Sequence, residues 1–218
     1  MGPSPGDRPA SMTSTCLPDL VVEKRGDVCI WWFPRDFSQS RLGDRTTGSN
    51  ACTLIVLLVS QKCYQGDIQI LPREEEPINQ RFVVALAESI IEGNEIHEWL
   101  LRHGKLHHVN MTVPEAVTAA GSSMRFICEW KSLVYLLDLE ESLYEQMTET
   151  LAEWHRNPPP RRGSDLYVVL IADNRSVLFI FQKDMEKPTL SRPRLKRYSL
   201  QSPPPNAHAT AVQSVSLH

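Results

Sequence analysis

Gly43-Asp44-Arg45-Thr46-Thr47-Gly48-Ser49-Asn50-Ala51-Cys52 runs directly into Thr53-Leu54-Ile55-Val56-Leu57-Leu58-Val59. A polar, glycine-bearing loop thus delivers a cysteine to the mouth of an apolar element. The element continues from Thr53 to Tyr64, longer than a typical strand. Its β-branched residues lower helix propensity, but burial overrides that preference. The stretch therefore predicts a buried helix, capped by Ser49 or Asn50. A helix N-terminus carries partial positive charge, which favours the thiolate of a cysteine placed there. Cys52 is accordingly the candidate nucleophile, and it would need a histidine base and an orienting carboxylate or amide.

Upstream, Leu20-Val21-Val22-Glu23 and Val28-Cys29-Ile30-Trp31-Trp32-Phe33 flank the turn Lys24-Arg25-Gly26-Asp27. This predicts a β-hairpin ended by Pro34. Neither strand alternates cleanly, so both faces are expected to be covered. Adjacent aromatics in a strand point to opposite faces, so one of Trp31 and Trp32 belongs to the core and the other is a candidate partner contact.

Downstream, residues 77–92 carry Ile78, Phe82, Leu86 and Ile90 at every fourth position, which predicts a helix stopped by Gly93-Asn94. A shorter helix from Glu95 to Arg102 should follow, closed by Gly104. Ile68-Gln69-Ile70-Leu71 is a candidate short strand. Thr112-Val113-Pro114-Glu115 is a capping box opening a helix through Ala120. Arg125 to Trp130 fits helix or strand. Asp138 to His155 is a helix with a buried stripe of Leu139, Leu143, Met147, Thr150 and Trp154. The clearest β signal is Leu166 to Ile171 and Ser176 to Phe181, joined by Ala172-Asp173-Asn174-Arg175.

The expected architecture is a single α+β domain over residues 18–183, with two β-hairpins and a helical middle. Residues 1–17 are expected to be disordered. So are residues 184–218: from Lys183 to His218 there are six Lys or Arg against two acids, amid Pro and Ser.

The order of Asn50-x-Cys52-Thr53, an apolar helix, a helical middle and a late hairpin resembles papain-like cysteine proteases, including deubiquitinases. The resemblance spans Ser49 to Phe181 and implies a papain-like layout. It also implies a thiol nucleophile at Cys52, with Asn50 or a backbone N–H at the oxyanion. Such families carry the histidine base at the start of a late strand or in a turn after it. Here that strand opens Ser164-Asp165-Leu166-Tyr167, with no histidine. Later histidines are His208 and His218, in the tail. His97, His103, His107 and His108 lie in the helical middle. The catalytic set is thus incomplete at the matching position.

Other motifs lose to simpler readings. Gly43-x-x-x-x-Gly48 has the glycine spacing of a phosphate-binding loop, but Ser49 and Asn50 stand where that loop needs Lys and Ser or Thr. His107 and His108 are adjacent, so their side chains diverge, and Gly104 breaks the helix that would align them with His103. No pattern calls for a cofactor or a metal. The five cysteines include no Cys-x-x-Cys pair and predict free thiols, with Cys29 and Cys128 as small core residues. Pro158-Pro159-Pro160-Arg161-Arg162 is a stiff linker and a candidate polyproline ligand.

With a net charge of −3 over 218 residues, the chain as a whole is not built to attract nucleic acid or an anionic membrane. The apolar run at Leu54 to Val59 is too short to span a bilayer. The N-terminus lacks an apolar core of the kind a signal peptide has. The expected setting is the cytoplasm, with the nucleus as the alternative. The functional expectation is a non-catalytic protein-interaction module or adaptor, a pseudoenzyme whose partner is a protein, with a ubiquitin-like protein as the candidate. The alternative is a thiol hydrolase acting on ubiquitin or a ubiquitin-like protein.

Overall fold

The computed structural model describes residues 17–26, 28–70, 78–108, 110–133, 139–157, 165–172, 174–182 and 209–217. The fold is α+β. In chain order its elements are β1 (Val21–Arg25), β2 (Val28–Trp32), α1 (Cys52–Gln65), α2 (Gln80–Arg102), α3 (Val113–Ala120), β3 (Ile127–Leu133), α4 (Leu139–Arg156), β4 (Leu166–Ala172), β5 (Arg175–Phe181) and β6 (Ala209–Leu217), with a 3-10 turn at Gly121–Met124. The hairpin β1–β2 forms one sheet. A second, antiparallel sheet has the order β3-β6-β4-β5.

The decisive element is α1. Ten of its residues, including the unbroken run Thr53 to Gln61, are buried. A helix that is apolar all round has to sit inside the molecule, and α1 packs on α2, α3, β4 and β5. Burial thus overrides the weak helix propensity of Ile55, Val56 and Val59, as the sequence predicts.

The β4–β5 hairpin explains why the run Leu166 to Ile171 does not alternate in polarity. Tyr167, Val169, Leu178 and Ile180 join the core around α1. Leu166, Val168, Leu170 and Phe179 join a second cluster with Met147 and Trp154 of α4. Alternate residues face opposite sides of a strand, and helices cover both sides here, so every position is apolar. The predicted α4 stripe holds from Leu143 onward: Met147, Thr150 and Trp154 are buried and Leu143 packs against the same cluster, while the predicted Leu139 side chain lies outside the described residues. Trp130 meets Trp154 edge-on at 5.3 Å, and Lys131 pairs with Glu153.

Several expectations are corrected. The helix predicted to stop at Gly93-Asn94 continues unbroken from Gln80 to Arg102. Gly93 lies where α1 and α2 approach closely: a Cβ there would come within 2.7 Å of Ile55 Cγ1. The glycine permits helix contact rather than ending the helix. The hairpin β1–β2, expected to be covered on both faces, leaves Val21, Val22, Val28 and Trp32 exposed. Its Gly26 turn has positive φ, as the turn reading requires. Residues 68–70 are not a strand, and Leu71 lies outside the described residues. Arg125 to Trp130 resolves towards strand β3. Cys29 is half-buried and Cys128 exposed; Cys63 is the buried thiol.

The largest difference lies in the tail. Residues 209–217, expected to lack regular structure, form β6 between β3 and β4. Its pairs run from Ala172↔Ala209 to Tyr167↔Val215 on one side and from Ile127↔Leu217 to Leu133↔Val212 on the other. β6 is the strand through which β3 joins the sheet. The expected disorder of residues 1–16, and of 184–208 and 218, lies outside the described residues, as does the linker 158–164.

Candidate functional site

Cys52 is the first residue of α1, as the sequence predicts. The cap differs. Ala51 is the N-cap residue, and no side chain caps the helix. Ser49 is engaged elsewhere, and Asn50 is exposed.

Ser49 belongs to a closed polar network that pins the loop before Cys52. Gln39 Nε2 donates to Ser49 O at 2.6 Å and to Ser49 Oγ at 2.9 Å. Ser49 Oγ donates to Asn94 Oδ1 at 2.5 Å. Asn94 Nδ2 returns to Gln39 O at 2.9 Å. Gln39 and Asn94 are both buried. Buried amides are costly unless satisfied, so the network holds only if loop and α2 stay together. Asn94, half of the predicted helix stop, is thus the anchor of the loop.

The β4–β5 turn faces Cys52 from the other side. Cys52 Sγ donates to Asn174 O at 3.8 Å and accepts from Ser176 Oγ at 3.5 Å. Thr53 Oγ1 donates to Met111 O at 2.8 Å and lies 3.0 Å from Ser176 Oγ. A hydroxyl has one proton. Thr53 has placed its own on Met111, so Ser176 donates either to Thr53 or to the sulfur. Asn110 Nδ2 donates to Asn174 Oδ1 at 2.6 Å, which ties the segment before α3 to the same turn. Asn174 adopts φ 61°, the left-handed conformation that short hairpin turns favour and asparagine tolerates.

Among the described residues, the groups bonded to Cys52 Sγ are a carbonyl and a hydroxyl; no histidine is bonded to it. His97 is buried on α2. His103 stacks on Trp99. His107 and His108 are exposed and act electrostatically on Glu115. The Glu115 carboxyl is held below its usual range by Thr112 backbone and side-chain hydrogen bonds. Those bonds are the capping box that the sequence predicts.

The remaining candidate residues sit apart from Cys52. Trp31 is partly buried against the main core. Trp32 is exposed and donates from Nε1 to Glu23 Oε2 at 2.9 Å. Both belong to the β1–β2 sheet. Asn174, Ser176 and Asn110 are the site residues that sequence reasoning missed. The signal for the first two was the hairpin itself, whose turn lies against the helix start only once α1 is packed on β5.

The buried thiol, Cys63, is inert by environment: desolvation pushes it up to about 12. Among the described residues, no group of three or more His, Cys, Asp or Glu could hold a metal ion. Nor is any helix of the described residues long and apolar enough to cross a membrane. Comparison with protein-family models, curated proteins and solved structures finds no match.

Proposed function

We propose that the chain is a non-catalytic protein-interaction module of papain-like ancestry, working in the cytosol or nucleus. The mouth of α1 would serve as a recognition surface for a ubiquitin-like protein. The supporting observation is the company of Cys52. Its sulfur meets Asn174 O and Ser176 Oγ, and neither is a base near neutral pH. The exposed Asn50 borders that mouth, and the exposed Trp32 offers a second contact.

One observation favours the alternative, a thiol hydrolase acting on ubiquitin or a ubiquitin-like protein. β6 begins at Ala209, in register with Ala172, and Ala172 is two residues from the Asn174 carbonyl that touches Cys52. The strand therefore starts at the Cys52 end of the sheet. In the sequence its preceding residue is His208, which lies outside the described residues.

Ubiquitin bearing a C-terminal thiol-reactive electrophile separates the two readings. The interaction module forms no adduct, and its ubiquitin binding, followed by NMR titration, survives Cys52→Ala. An adduct that Cys52→Ala abolishes establishes the hydrolase. Loss of that adduct in His208→Ala as well would assign the base.

A further inference from the structure

The outward face of α2 carries Ile91, Glu95, Trp99 and Arg102, all exposed. Their spacing keeps them in one stripe along the helix. Trp99 is 42% exposed, and tryptophan is among the residues that most often anchor an interface. Its ring is already ordered: His103 stacks on it at 4.4 Å, and the Lys105 ammonium lies 4.5 Å from its centroid. Order present before contact lowers the entropy cost of binding. Beside Trp99 a groove of about 500 Å³ runs between α2 and α3, lined by Glu95, Ile96, Trp99, Arg102 and Ala119. The charges on this side of α2 are unequally satisfied. Lys62 holds Glu88 and Glu92, and Arg45 holds Glu98. Among the described residues, Glu95 and Arg102 make no ion pair. They stand about 10 Å apart along the helix axis, with Trp99 between them.

We propose that this stripe binds a second copy of the chain, α2 against α2 in antiparallel register about a two-fold axis beside Trp99. A two-fold interface pairs one surface with itself: where residue i of one copy meets residue j of the other, j also meets i. With the axis midway between Glu95 and Arg102, Glu95 of each copy meets Arg102 of the other. Both unpaired charges of the stripe are then answered, twice over. Parallel pairing in register would instead set Glu95 on Glu95 and Arg102 on Arg102. The antiparallel arrangement also brings each Trp99 to the groove of the other copy, over Ile96 and Ala119. The protruding ring and the groove belong to one surface, and so do its acid and its base, so a second copy satisfies all four together. The dimer forms whatever the Cys52 surface binds.

Sedimentation velocity on the full chain over a concentration series tests this. The sedimentation coefficient of the unmodified protein should rise with concentration towards that of a dimer. Glu95→Arg sets like charges at both contacts, and so does Arg102→Glu; each should weaken self-association about tenfold. An equimolar mixture of these two variants restores opposite charges at both contacts and should regain the unmodified affinity. Trp99→Ala should weaken association by more than about tenfold. Positions 95 and 102 are exposed, so both charge variants keep the fold, and the mixture reads the contact itself. A monomer at every concentration overturns the inference and leaves the stripe to a different partner. Self-association that neither charge reversal weakens overturns it as well, and so does a mixture that associates no better than its separate components.

Discussion

The chain contains two antiparallel hairpins of similar sequence texture with opposite fates. β1–β2 carries Val21, Val22, Val28, Trp31 and Trp32, yet most of its surface is exposed. β4–β5 carries a comparable run and buries both faces. The difference lies outside the strands. β4 has β5 on one side, β6 on the other, the α1 cluster above and the α4 cluster below. β1 pairs with β2, and only Trp31 and a few neighbours reach the core. An apolar β run therefore announces a strand but not its cover; the cover comes from the elements the chain folds onto it.

The sharpest way to break this contrast is to remove the cover. Deleting residues 209–217 takes a partner from β4 along its length and leaves β3 without its connection to the sheet. At about 1 kcal/mol net per hydrogen bond, the loss approaches the whole stability of a domain this size. Guanidinium unfolding should show a loss of cooperativity or a molten sheet. An unchanged unfolding midpoint would show that the sheet does not depend on β6.

A matched pair of substitutions compares the hairpins directly. Leu166 is 1% exposed and Val21 67%. Leu166→Ala should cost about 2–5 kcal/mol through lost burial and the cavity left behind. Val21→Ala should fall within about 0.5 kcal/mol of zero. Chemical denaturation of both variants checks the contrast, and similar losses would mean that the exposed hairpin is covered in solution.

The same logic shows what the sequence could and could not reveal. The helix stripes of α4, the capping box of α3 and the turn of β4–β5 were legible because each depends on residues close together in the chain. Gly93-Asn94 misled for the opposite reason. Their helix-stopping chemistry is local, but Gly93 answers to Ile55 and Asn94 to Ser49 and Gln39, partners that only the fold brings near. β6 was hidden because Ala209 to Leu217 mixes small and polar residues and follows a basic, proline-rich stretch. At the site, Cys52 at a helix start was legible. Asn174 and Ser176 were not, since their relevance depends on α1 packing against β5.

That account of Gly93 is itself testable. Gly93→Ala gains about 1 kcal/mol of helix propensity, but its Cβ must displace Ile55 Cγ1, at a typical overpacking cost of about 1–3 kcal/mol. The variant should be net destabilised. Ile55→Ala removes the opposing carbon, so the two substitutions together should cost less than the sum of their separate effects, with a coupling of at least about 0.5 kcal/mol. Additive losses would mean that the helices do not meet there.

The smallest expected effect returns to the exposed hairpin. Trp32 is half exposed, and its indole N–H donates to Glu23, which Arg25 also holds. These two bonds keep the Glu23 carboxyl below its usual range. All three groups lie at the surface, where water replaces a lost partner at little cost. Trp32→Phe keeps the ring and removes the donor, so it should shift the unfolding midpoint hardly at all, by less than about 0.5 kcal/mol in free energy. The Glu23 carboxyl should then titrate closer to its ordinary value, which carbon-detected NMR reads directly. The pair of measurements separates surface order from stability. A large loss of stability without the titration change would place Trp32 in the core and make the two hairpins more alike than their exposure indicates.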